Sequence, residues 1–249
     1  MKISVITVVY NNDKTIREAI NSVLSQNYHE IEYIIIDGAS KDNTIMIIKE
    51  YQSQITKFVS ETDSGLYDAM NKGVRLATGD VIGILNSDDI YEDINVISDV
   101  MDEFKNDEKL DLVYGDLVYV KQDDTNKVIR NWRSIKYYPD FFEDGNVPPH
   151  PSLFVKTKVF KEAGLFNLDF RLAADYEFML RIFKKHSYIS KYINRVIIRM
   201  RLGGATNQSL KNIWIQNVEI LKAWNYNELR LPILLMPLRL FKRLVQFVK

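Results

Sequence analysis

The sequence has no cysteine, so a disulfide framework, a thiolate metal site and every thiol-based catalytic chemistry are excluded. Net charge is missing as well. Thirty-three Lys and Arg balance 33 Asp and Glu, which leaves no global basic field to gather nucleic acid. Neither an internal repeat nor a low-complexity tract is present, and no Gly/Ser linker divides the chain. The first residues enter a strand-like run at once, without the basic region, long apolar stretch and cleavage site of a signal peptide, so a cytoplasmic chain is expected. What is present is 249 residues, 46% of them hydrophobic, enough to bury a substantial core.

Residues 2–10 form a near-continuous β-branched run, the pattern of a strand covered on both faces. Asn11, Asn12 and Asp13 break it with residues suited to turns and helix N-caps. Ile16, Ala19, Ile20, Val23 and Leu24 then recur at helical spacing, and residues 31–36 read as a second buried strand. Helix signals at 45–51 and 67–76 alternate with strand signals at 58–59 and 81–85. This alternation predicts an α/β fold with a mainly parallel sheet and right-handed crossovers. Beyond residue 90 the order loosens. Helices are expected near 96–104, 176–183 and 213–224, strands near 112–120, 128–132, 153–155 and 196–200, and an aromatic, Pro-rich stretch runs through His150. Residues 1–228 are therefore expected to form one domain, with 1–90 binding a donor and 91–228 the other reactant.

Residues 229–249 differ in composition. No acidic residue follows Glu228, whereas Arg230, Arg239, Lys242, Arg243 and Lys249 are basic. From Pro237 onward apolar and basic positions separate on a helical wheel, giving a basic amphipathic helix. Pro232, Pro237 and the charges leave no apolar run of about 20 residues, so it cannot span a bilayer. It can rest on a membrane surface or pack on the domain.

In an open parallel sheet, ligands bind beyond the carboxyl ends of the strands. The residues there are Tyr10-Asn11, Asp37-Gly38, Glu61-Thr62-Asp63 and Asn86-Ser87-Asp88-Asp89. Two adjacent carboxylates at a buried strand end repel one another unless a cation or strong donors are present. Carboxylates without His or Cys partners select a hard ion, Mg²⁺ or Mn²⁺, that shares its coordination with phosphates. A nucleotide diphosphate is the substrate this implies.

These motifs carry a family resemblance. Ile3-Ser4-Val5-Ile6-Thr7-Val8-Val9-Tyr10-Asn11, Ile36-Asp37-Gly38-Ala39-Ser40 and Leu85-Asn86-Ser87-Asp88-Asp89, in that order, resemble the family 2 glycosyltransferases of GT-A fold. The segment 60–73 with Ala77-Thr78-Gly79-Asp80 resembles a bacterial branch that builds cell-surface polysaccharides. The resemblance implies that Thr7, Tyr10 and Asp37 hold the nucleobase, that Asp88 meets the ribose and that Asp89 coordinates the metal. Asp63, Asn71 and Lys72 would complete the donor pocket. It further implies an inverting transfer from a nucleotide-diphosphate sugar, UDP being the first choice, to a glycan or lipid-linked hydroxyl, with localisation in the cytoplasm or on the inner face of its membrane.

A sugar hydroxyl is a poor nucleophile until its proton has somewhere to go. Ala173-Ala174-Asp175-Tyr176-Glu177 resembles the family's acidic-aromatic-acidic motif, which makes Asp175 the base and Glu177 its nearest competitor. His150 resembles a family position near the acceptor. Arg199 and Arg201, in a run with Gly203-Gly204, suit a loop closing on phosphates. Two rival readings stay open at this point: a nucleotide-sugar-binding or membrane-scaffold subunit without turnover, and a sugar-phosphate nucleotidyltransferase.

Overall fold

The computed structural model describes residues 1–203 and 209–245. Residues 204–206 of the expected Arg- and Gly-containing run and residues 246–249 of the expected C-terminal helix lie outside the described residues. The first half alternates without exception: β1 (Ile3–Val9), α1 (Ile16–Leu24), β2 (Ile31–Asp37), α2 (Thr44–Glu50), β3 (Lys57–Ser60), α3 (Leu66–Leu76) and β4 (Val81–Asn86). Then follow β5 (Ile90–Tyr91), α4 (Val96–Asn106), β6 (Leu112–Val120), β7 (Val128–Trp132), β8 (Leu153–Lys156) and α5 (Thr157–Ala163). The chain continues through α6 (Ala174–Leu180), β9 (Ser190–Arg201), α7 (Leu210–Tyr226) and α8 (Leu235–Val245).

One mixed sheet, mostly parallel in its first half and flanked by helices, runs in the order β3-β2-β1-β4-β8-β6-β9-β5, with β7 on β6. β1 pairs in parallel with β2 and β4, and β2 with β3. β8 joins β4 antiparallel and hands the sheet to β6, so both halves share one hydrogen-bonded ladder.

Alternation along β1 decides which residues meet which helices. Ile6 and Val8 pack on α3 and the second half, whereas Ile3, Val5 and Val9 pack on α1 and α4. α3 sits very close to the sheet: a Cβ on Gly73 would lie 2.4 Å from Ile6 Cγ2, so only glycine permits this approach. Two expectations are revised. Asn11, Asn12 and Asp13 do not cap α1, whose N-cap is Thr15; Asn11 instead takes a left-handed φ of 47° and its side chain ties to the β2 loop. α5 was not foreseen, because a seven-residue segment carries only two turns of periodicity.

Candidate active site

The carboxyl ends of β1, β2 and β4 open into a cleft of about 1350 Å³ that extends under β7 and α6 to α7 and α8. Tyr10 leaves β1 with its ring 64% exposed, an unusual waste of aromatic surface unless a ligand covers it. Beside it lies Gly38. A Cβ there would stand 3.0 Å from Asp63 Oδ2 and 3.3 Å from Tyr10 Cδ2, so the glycine keeps open a slot between a ring and a carboxylate. Lys72 holds Asp63 in this corner at 2.6 Å and also grips Glu61 at 2.9 Å. The β1 and β2 loops are laced together. The Asn11 N–H donates to Ser40 Oγ, and the Lys41 N–H donates to Asn11 Oδ1.

The two acids after β4 part company. Asp88 lines the cleft, while Asp89 is fully buried beneath it. Asn86 Nδ2 donates to Asp89 Oδ2 at 2.9 Å, and Asp89 Oδ1 has no hydrogen-bond partner. Burial, and then the charge of Asp88, push the Asp89 carboxyl well above the ordinary range against the opposing pull of Asn86 and Arg201. Burial also raises Asp88, opposed by its own backbone N–H and by Arg201. Arg201 is itself committed: it donates to the Asp88 carbonyl at 2.6 Å and to Glu18 at 2.6 Å.

This donor set fits a hard divalent cation. Its oxygens are anionic, one is buried without a partner, and one carboxylate faces the space where phosphates would lie. Among the described residues no group of three His, Asp or Glu could hold a metal by protein ligands alone. The two acids differ in place: Asp88 lines the cleft, whereas Asp89 is buried beneath it and does not line it.

Six further expected site residues do not line the cleft. Thr7 lies on the α1 side of β1, where its hydroxyl accepts from Tyr33, and it does not line the cleft. Asp37 is fully buried and accepts from Ser40 N–H, Ser40 Oγ and Ser60 Oγ, which makes it the pin of the β2 loop. Asn71 clamps the backbone of Phe166 with both ends of its amide. Glu177 is wholly buried, paired with Arg181 at 3.0 Å and bonded by Asn227, so it cannot meet an acceptor. Arg199 is held by Glu92 at 2.7 Å and by the Thr125 carbonyl, away from the cleft. Lys72 reaches the cleft through Asp63 and the Thr62 carbonyl.

On the opposite wall Asp175 opens α6 and lines the cleft. His150 Nδ1 lies 3.0 Å from Asp175 Oδ2, and the Tyr67 hydroxyl donates to Oδ1 at 2.9 Å. Burial, and then the charge of Asp175, raise Tyr67 far above its ordinary range, so it stays a donor. The sequence reading missed Tyr67 as a site residue, although it stands inside the segment 60–73 that carried the resemblance. It also missed the wall built by β7. There Trp132 stacks on Tyr119 with ring centroids 6.3 Å apart, and the Arg130 guanidinium lies 4.2 Å over Tyr119. Gln216 and Asn217 of α7 and Met236 and Leu240 of α8 close the far end.

Comparison with known proteins places this geometry. The family profile described as Glycosyl transferase family 2 matches residues 4–160. A PGL/p-HBAD biosynthesis glycosyltransferase of Mycobacterium bovis is 28% identical over 208 residues, covering 82% of this chain and 78% of that one. An uncharacterised glycosyltransferase of Mycobacterium tuberculosis is 30% identical over 181 residues, covering 72% and 68%. Among solved structures, Staphylococcus aureus TarS 1–349 in complex with UDP superposes with a TM-score of 0.66 at 17% identity, over 96% of this chain and 68% of that one. The mannosyltransferase PcManGT of Pyrobaculum calidifontis, in complex with GDP-Man and Mn²⁺, gives 0.63 at 18%, over 98% and 74%. The fold is that of the GT-A glycosyltransferases, and the chain belongs to glycosyl transferase family 2.

Proposed function

We propose that the enzyme transfers a sugar from a nucleotide-diphosphate donor to a hydroxyl of a glycan or lipid-linked acceptor, with inversion at the anomeric carbon, in bacterial surface polysaccharide synthesis. One observation carries this reading: Tyr10, Asp63, Asp88, His150 and Asp175 line a single cleft. The base would stack on Tyr10 above Gly38, with Asp63 beside it. Asp88 would hold Mg²⁺ or Mn²⁺, and the bound ion would supply positive charge against the departing diphosphate. Asp175 would take the acceptor's proton while the new glycosidic bond forms and the old one breaks, in one in-line displacement. UDP stands first because TarS structures hold UDP and UDP-GlcNAc, and GDP is the alternative offered by PcManGT. The surface-glycan role is supported by the mycobacterial relatives named for PGL/p-HBAD biosynthesis.

A lipid-linked acceptor would place the enzyme on the inner face of the cytoplasmic membrane. In support, Ile233, Leu240 and Phe241 are 93%, 58% and 62% exposed in a segment whose charges are all basic. Among the described residues no helix is long and apolar enough to cross a membrane. Truncation after Glu228 should abolish flotation with anionic vesicles; undiminished flotation overturns the membrane reading.

The activity itself is tested by screening UDP-, GDP- and dTDP-sugars for turnover by wild type and Asp175→Asn. One donor should be consumed by wild type, and the variant should be slower by about 10³-fold with unchanged donor affinity. Binding without turnover by wild type would favour a non-catalytic subunit instead.

A further inference from the structure

The base assigned above is held from both sides. Its carboxylate has two oxygens, and each is engaged: Oδ1 accepts from the Tyr67 hydroxyl at 2.9 Å, and Oδ2 lies 3.0 Å from His150 Nδ1. The three residues come from separate parts of the chain. Tyr67 lies at the start of α3 in the donor half, His150 in the helical turn His150–Ser152 before β8, and Asp175 in the first turn of α6. Tyr67 is nearly buried, at 7% exposure, and packs on Phe166 with ring centroids 5.8 Å apart. His150 is partly open and lines the cleft.

We propose that His150 and Tyr67 are positioning residues that fix the Asp175 carboxylate in one rotamer, with a free lone pair on each oxygen for the acceptor. This rests on the assignment of Asp175 as base. A carboxylate accepts only, so the imidazole nitrogen facing it carries the hydrogen, which in the neutral ring is the Nδ1–H tautomer. A phenol can likewise only donate to a carboxylate. Two fixed donors at two oxygens stop the carboxyl group from turning about its terminal bond, the softest torsion in the side chain. During transfer the acceptor oxygen forms its bond to the anomeric carbon, the bond to the diphosphate oxygen breaks, and the proton passes to Asp175. His150 and Tyr67 keep their own protons throughout.

The arrangement also joins the two halves of the protein. α3 begins at Leu66, next to Gly65, both of which line the donor end of the cleft, and its Tyr67 reaches the base.

Two measurements test this on the full chain. In the first, steady-state release of UDP from a UDP-sugar is compared among variants. His150→Phe, which keeps a ring and loses the donor, should lower kcat about 30-fold with donor KM within twofold. His150→Asn places an amide N–H near the former Nδ1 and should recover most of that loss. Tyr67→Phe should lower kcat about tenfold. A His150→Phe enzyme as fast as wild type, or a His150→Asn enzyme no faster than His150→Phe, overturns the positioning role. The second measurement needs no turnover. Nitrogen-15 spectra of the three imidazoles should show His150 as the Nδ1–H tautomer in wild type and a changed signal in Asp175→Asn. An Nε2–H tautomer in wild type overturns the proposal. An active Asp175→Asn enzyme would instead refute the base assignment while leaving the tautomer result standing.

Discussion

The two ends of one parallel sheet treat buried carboxylates in opposite ways. At the amino end Glu32 is 4% exposed, yet four donors satisfy it: Ser4 Oγ at 2.5 Å, Thr78 N–H and Oγ1 at 2.7 Å each, and Lys57 Nζ at 2.9 Å. Burial works against its charge, but these bonds outweigh burial and bring its pKa down to about 2. At the carboxyl end Asp88 and Asp89 are pushed up, and one buried oxygen has no partner. The contrast teaches where the molecule spends its donors. Charge that joins β1, β2 and the turn before β4 is satisfied by donors of the fold, whereas charge at the cleft has no comparable set of donors.

This comparison can be broken from either end. The largest effect is expected at the cleft. Asp88→Ala should lower the rate of sugar transfer about 100-fold while the melting temperature holds or rises, because the substitution removes a repulsion from Asp89. A melting temperature that falls with the activity would make Asp88 a structural acid like Glu32. Glu32→Gln should do the reverse, costing about 2–3 kcal/mol and lowering the melting temperature by roughly 5–10 °C with nucleotide affinity unchanged. Its pH signature follows from the sign of the shift. A carboxyl whose folded pKa lies below its unfolded value of 4.5 contributes stability that is complete above that value and lost as pH falls toward about 2. Thermal melts across that window should therefore fall more steeply for wild type than for Glu32→Gln; parallel curves would refute the assignment. The smallest effect belongs to Tyr10→Ala, which should weaken nucleotide binding about five- to tenfold through lost stacking, seen by calorimetry. Equal affinity would remove Tyr10 from the site.

The first half was legible because its signals are local. A strand buried on both faces, a helix of period 3.6 and a polar strand end are each contained in about ten residues, so the residues at the carboxyl ends of β1, β2 and β4 could be collected in advance. What the sequence did not disclose was orientation. Thr7 and Asp37 follow the same alternation as Val5 and Tyr33, and that alternation turns them to the α1 side, away from the cleft. Asp88 and Asp89 differ by one position, and the turn after β4 decides which is buried. Glu177 reads as a free acid until Arg181 and Asn227 are seen around it. In the second half, Asp175 meets Tyr67 from 108 residues away in sequence and His150 from another loop, separations no local pattern encodes. β9 starts among exposed residues and owes its first turns of ladder to β6, which is why only its buried end was anticipated.

The most direct test is calorimetric titration of the wild-type chain with UDP, in the presence and absence of Mn²⁺. The account expects at least a tenfold gain in affinity with the ion, since the diphosphate and the Asp88 carboxylate can share it. Equal affinity with and without Mn²⁺ would contradict it.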